Sequence, residues 1–167
     1  MAGHIAEAYA LWEDNQGKQA GRVIYEHLRQ NERPAWAAEI LRVVLKRVPG
    51  HPEAEEVIRL ASDSDTWHLA RPQFSRIRQV TLRTTEQLPL NCLLLAENVA
   101  KVVYNAIAPS APFDALAPSV LFDADSGWAV VSCARIITQI IDDPPFTAKV
   151  WAAIIQSSQT GAYDTTP

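Results

Sequence analysis

The amino-acid sequence predicts an all-α protein: seven or eight helices, with N-terminal helical hairpins packed on a C-terminal bundle around a buried central helix. Three observations carry that expectation. Apolar residues recur at i, i+3, i+4 and i+7 almost throughout, the spacing of one helix face. Gly, Pro, Asn and Asp gather between the periodic segments, where helices stop and start. The one stretch with strand-like residues, Val80-Thr81-Leu82 with Thr84 and Thr85, has no comparable partner strand elsewhere, so 72–83 reads as helix through Phe74, Ile77 and Val80.

The elements follow in order. Ile5, Ala8, Tyr9 and Trp12 share a face of the first helix, and Gly17 reads as its C-terminal stop. Ala20, Val23, Ile24 and Leu28 give the second. Asn31-Glu32-Arg33-Pro34 breaks the chain, with Pro34 in the first turn of a third helix that turns Ala37, Ile40, Leu41, Val44 and Val48 inward. After the turn Pro49-Gly50-His51-Pro52 comes a fourth, carried by Ala54, Val57, Ile58 and Ala61. The run 62–66 is polar and aperiodic, and marks a boundary between a four-helix part (1–62) and a C-terminal bundle (67–156), the two separate or forming one continuous domain.

Residues 90–107 are the most apolar segment. Cys92, Leu95, Val99, Val102, Val103 and Ala106 form a wide face that Leu93, Leu94, Ala96 and Ala100 extend around the cylinder, as expected of a helix covered on several sides. Pro109, Pro112 and Pro118 mark a loop. A helix over 125–141 turns Trp128, Val131, Ala134 and Ile137 or Ile141 inward, Asp142-Asp143-Pro144-Pro145 ends it, and Phe146, Val150, Ala153 and Ile154 define the last one. The segment 157–167 reads as a flexible tail.

Composition excludes several classes. The chain has 167 residues, 48% apolar and 20% charged, with a net charge of −4, which argues against a histone-like or broadly nucleic-acid-binding surface. No clean run of about 20 apolar residues suggests a membrane span. Met1 to Glu7 has no basic leader pattern, and Cys92 and Cys133 stand 41 residues apart without a CxxC pair, so they read as buried hydrophobes in the cytoplasm of a bacterial-type soluble protein.

Ala37, Leu41, Val44-Leu45 and Pro49, followed by His51-Pro52-Glu53-Ala54, resemble the second helix and turn of a tetratricopeptide repeat over 35–61. That resemblance implies paired helices offering a protein-binding surface. Val120-Leu121-Phe122-Asp123-Ala124-Asp125 is similar to the nucleophile motif of haloacid-dehalogenase phosphatases. Yet only about 40 residues follow Asp125, too few for the parallel sheet such an enzyme needs. An EF-hand reading fails as well, because the twelfth position from Asp123 is Ala134. Asp123 or Asp125 is better explained as a helix cap.

His4, His27, His51 and His68 make no i, i+4 pair, so no metal site is expected, and no cofactor is implied. Arg71, Arg76, Arg78 and Arg83 form a broad basic band that can meet an acidic or phosphate-bearing partner, the one local place for nucleic acid. On the central helix Glu97, Asn98, Lys101 and Asn105 make a polar stripe, read first as its solvent-facing edge and second as a polar network in a cleft. Trp36 lies off the inward stripe and Trp67 follows the polar run, so both read as surface anchors for a partner.

The functional expectation is a non-enzymatic protein–protein interaction module (an adaptor, a small subunit or an immunity-type binding protein) using Trp36, Trp67 and the arginine band. The alternative is a small helical enzyme or ligand-binding protein with a polar site at Glu97, Lys101, Asn105, Asp123 and Asp125.

Overall fold

The computed structural model describes residues 3–107 and 125–164, with side chains through residue 156. Among these the fold is all-helical, with eight α-helices: α1 (Gly3–Glu13), α2 (Gly17–Glu26), α3 (Arg33–Arg47), α4 (Pro52–Ala61), α5 (Ala70–Thr81), α6 (Gln87–Asn105), α7 (Asp125–Ile141) and α8 (Pro144–Asp164). Two 3₁₀ segments, Gln30–Glu32 and Ser64–Leu69, join α2 to α3 and α4 to α5. The helix predicted over 72–83 is present as α5, and the backbone of α8 runs on past residue 156, where the apolar period fades.

Helix α6 is central, as its all-round apolarity predicts. Eleven of its residues are buried, and α3, α4, α5 and α7 all pack against it. The inward stripes hold as well: Ile5, Ala8 and Trp12 of α1, Ala37, Ile40, Leu41 and Val44 of α3, and Phe146, Val150 and Ile154 of α8 all lie in one core with α6. That core runs across residues 62–66. The polar run is a tied joint, with Asp63 Oδ1 accepting from the Asp65 N–H at 3.0 Å and Thr66 Oγ1 donating to the Leu60 carbonyl at 2.8 Å.

Glycine does a different job from the expected one at the first corner. Asn15, at φ 60°, closes α1: the Gln16 N–H bonds the Leu11 carbonyl at 2.8 Å and the Asn15 N–H bonds that of Trp12 at 3.1 Å, a Schellman motif. Asn tolerates the left-handed region because its short polar side chain bonds locally. Gly17 is therefore not the stop. It is buried as the first residue of α2, where a Cβ would lie 3.0 Å from the Ser132 Cα.

Helices α2 and α7 make the most extensive helix pair in the molecule. Their approach is close because glycines stand at the crossing. A Cβ on Gly21 would sit 2.8 Å from the Trp128 carbonyl oxygen and 2.9 Å from the Val131 Cβ. A Cβ on Gly127, from the other side, would lie 2.3 Å from the ring of buried Tyr25. Tyr25 cannot retreat freely, since its ring lies 5.7 Å from that of Trp36 and takes the Arg33 guanidinium at 4.0 Å.

Gly→Ala inside a helix normally stabilises by about 1 kcal/mol. At Gly21 the new methyl meets backbone, so overpacking wins and Gly21→Ala is expected to lower stability by about 1–3 kcal/mol in urea unfolding. Gly3→Ala, facing open space, is the control and leaves stability nearly unchanged.

Candidate functional site

The structure separates the two tryptophans expected at the surface. Trp36 is fully buried, and its indole N–H donates to the Ile154 carbonyl at 2.8 Å. The surface assignment of Trp36 is thereby corrected. The physical reason is that α8 covers the flank of α3 that the inward stripe leaves open. Trp67 is half-buried, with its indole N–H donating to the Ala61 carbonyl at 3.0 Å.

Around Trp67 lies a surface groove of about 620 Å³, walled by α3, α4 and the 3₁₀ segment. Ala35, Ala38, Ile58 and Ala61 make its apolar floor, and Glu32, Glu39 and Arg42 stand along it. Small residues on α3 open this space: Ala35 is exposed while the next residue, Trp36, is turned into the core. A second groove of about 510 Å³ shares Glu39 and Gln156 with the first and continues past Val43 and Phe146 to Lys46, Arg47 and Lys149. Together they form a trough along α3 lined by charges of both signs, Arg42 paired with Glu39 and Arg47 3.9 Å from Asp143. Sequence reading missed it, because Ala35 and Ala38 count as helix filler until the partner helices are in place.

The arginine band is divided. Arg78 donates to Glu97 Oε1 at 2.9 Å and Arg76 donates to Gln73 Oε1 at 2.8 Å, so two of its four members hold neighbours in place. Arg71 is half-buried and Arg83 lies exposed beyond the end of α5. None of the four lines the trough.

The polar stripe of α6 is divided: Asn98, Lys101 and Asn105 are half-buried, while Glu97 is drawn inside. Glu97 is only 3% exposed, and its second oxygen, Oε2, is buried without a hydrogen-bond partner. Asn98 donates to the Leu94 carbonyl at 2.9 Å and approaches Cys133 Sγ at 3.8 Å, while the Lys101 ammonium stands 5.4 Å from the Phe74 ring. The covering helices are α5 and α7, whose own apolar residues α6 needs, so Glu97 is carried inside with them.

These groups do not gather into one site with the acidic residues of α7. Asn105 lies eight residues from Glu97, about 12 Å along the helix axis. Asp125, in the first turn of α7, pairs with Lys18 of α2 at 3.3 Å. Asp123 lies outside the described residues. No cluster of three metal-ligating side chains occurs among the described residues, and no helix there is long and apolar enough to cross a membrane.

Both thiols are free, and burial pushes each up to about 11. At Cys133 the nearby Glu97 carboxylate adds to that rise, and the Asn98 contact opposes it. Comparison of the chain with protein-family models, with curated proteins and with solved structures finds no match.

Two outcomes follow from the burial. Trp36→Ala is expected to cost about 3–5 kcal/mol, because it empties a packed site and orphans the Ile154 carbonyl. A melting temperature unchanged in that variant would return Trp36 to the surface. For the thiols, fully buried Cys92 should resist maleimide and disulfide reagents in the folded protein, whereas half-buried Cys133 should react slowly, held back by its raised pKa. Labelling of Cys92 should follow unfolding by denaturant, and rapid native labelling of either thiol at pH 8 would contradict the burial.

Proposed function

We propose that the protein is a non-enzymatic interaction module that receives a segment of another protein in the trough along α3. The observation that carries the reading is the half-buried Trp67 set in an open groove with an apolar floor and charged sides. Large aromatic side chains with one face available are the residue type from which binding hot spots are built. Charged side chains of both signs line the trough, with Glu32, Glu39 and Arg42 in the first groove and Lys46, Arg47, Lys149 and Asp143 in the second, and would add polar contacts at the rim of a bound segment. The short resemblance to a tetratricopeptide hairpin over 35–61 covers the same two helices, α3 and α4, that wall the first groove.

Trp67 supports this reading and Trp36 leaves it, while Arg71, Arg76, Arg78 and Arg83 lie outside the trough. The other reading, a ligand site at Glu97, Lys101, Asn105 and Asp125, is weakened by the distance between its members and by their separate partners.

The test is Ala35→Arg, which fills the groove from an exposed position without emptying the core. Crosslinking followed by mass spectrometry in cells of origin should recover a specific protein with the wild-type chain. The same yield should drop at least tenfold with Ala35→Arg at an unchanged melting temperature. Equal recovery with a well-folded Ala35→Arg variant would place the interface elsewhere.

A further inference from the structure

A second recess lies at the corner where α1 meets the turn between α7 and α8. It encloses about 370 Å³, and its lining contains three aromatic rings and three carboxylates. Trp12 forms the floor: it is buried, and the Arg135 guanidinium is 5.0 Å from its ring. Tyr9 and Trp151 form the walls, with ring centroids 5.3 Å apart and planes at 61°. Tyr9 is 45% exposed, unusual for so large a ring in a molecule with a filled core. The carboxylates are Glu13, Asp142 and Asp143.

The exposed Tyr9 ring and the carboxylates favour a cation, while the fixed guanidinium groups of Arg135, over Trp12, and Arg47, near Asp143, stand at the edges. Aromatic faces present negative charge density to a positive group, and the edge contact with Trp151 holds the exposed Tyr9 ring in place. The Tyr9 hydroxyl donates to Glu13 Oε1 at 3.0 Å, which pushes electron density into the ring and deepens that attraction. The carboxylates set the local charge. Arg47 reaches Asp143 only at 3.9 Å, and Glu13 and Asp142 have no salt-bridge partner among the described residues. Arg135 over Trp12 and Arg33 over Tyr25 show the same chemistry already used inside the protein.

The shape selects among cations. A bare ammonium demands three hydrogen-bond acceptors around it, whereas a methylated one demands none and gains from apolar contact. The volume is at the low end for small-molecule sites, which suits a head group more than an extended ligand. We propose that the recess beside Tyr9 and Trp151 binds a trimethylammonium group, seated against the exposed Tyr9 ring and facing Glu13, Asp142 and Asp143. The group can come from a free choline-type molecule or from a trimethylated lysine side chain. This site lies on the other flank of α8 from the trough and shares only Asp143 with it.

The test is a tryptophan-fluorescence and NMR titration of the full chain with choline, with a trimethyl-lysine peptide, and with 3,3-dimethylbutanol, the neutral isostere of choline. Saturable choline or peptide binding with a Kd on the order of 1–10 mM or tighter is expected, at least tenfold tighter than the isostere and weakening as salt rises. The tighter of the two cations names the source. Tyr9→Leu and Asp142→Asn should each weaken binding at least threefold while leaving the melting temperature in place. Asn suits position 142 because it tolerates the φ of 54° found there. Equal binding of the isostere, absence of saturation with both cations, or unchanged affinity in both variants would each overturn the proposal.

Discussion

The close contact of α2 with α7 is the constraint on which the rest of the structure depends. Gly21 removes the side chain that would hold α2 away from the Trp128–Val131 stretch, and Gly127 returns the favour by admitting the Tyr25 ring. The consequence is topological. α2 belongs to the first third of the chain and α7 to the last, so their contact, with α6 packed between α3 and α7, makes one core out of two parts of the sequence. Tyr25 then fixes the next layer, because its ring lies against Trp36, and Trp36 is tied to α8 through the Ile154 carbonyl. A methyl group at the first contact would be felt at the third.

That chain of contacts also shapes the surface. With Trp36 drawn inward, the exposed side of α3 is left with Ala35, and with Ala38 just below it, so the helix presents a shallow floor between α4 and α8. The trough is thus a by-product of how the core is filled. The recess at α1 has the same origin: the turn after Ile141, closed by Asp142 in the left-handed region with its N–H on the Thr138 carbonyl at 2.9 Å, brings α8 back beside Tyr9 and Trp12. Both recesses lie on α8, one on each flank.

Helix identity and the inward stripes were legible because period 3.6 is a local property, and Ala37, Ile40, Leu41 and Val44 reveal their face without knowledge of what covers it. Partnership was not. Trp36 looks peripheral on α3 alone and becomes core only when α8 arrives on that flank. Glu97 looks like a solvated residue on a helical wheel, yet Arg78 comes from a different helix and a buried position results. Gly17, Gly21 and Gly127 carry the hardest lesson. In one dimension a glycine signals flexibility or a stop, and only the distance to another helix shows that the missing Cβ is what matters. The same holds for Tyr9, Trp12 and Trp151, which meet across 142 residues of sequence (from 9 to 151).

Hydrogen exchange read by mass spectrometry tests most directly whether the glycine contact joins the two parts of the chain. If α2 and α7 form one cooperative unit, their slowest amides open with the same free energy and respond with the same slope to added urea. Protection in Gly17–Glu26 and Asp125–Ile141 should therefore vanish together, and Gly21→Ala should lower both by the same amount. Independent opening, with α2 exchanging at far lower free energy while α7 keeps its protection in the variant, would show that the contact closes over two separately stable parts and does not hold them together.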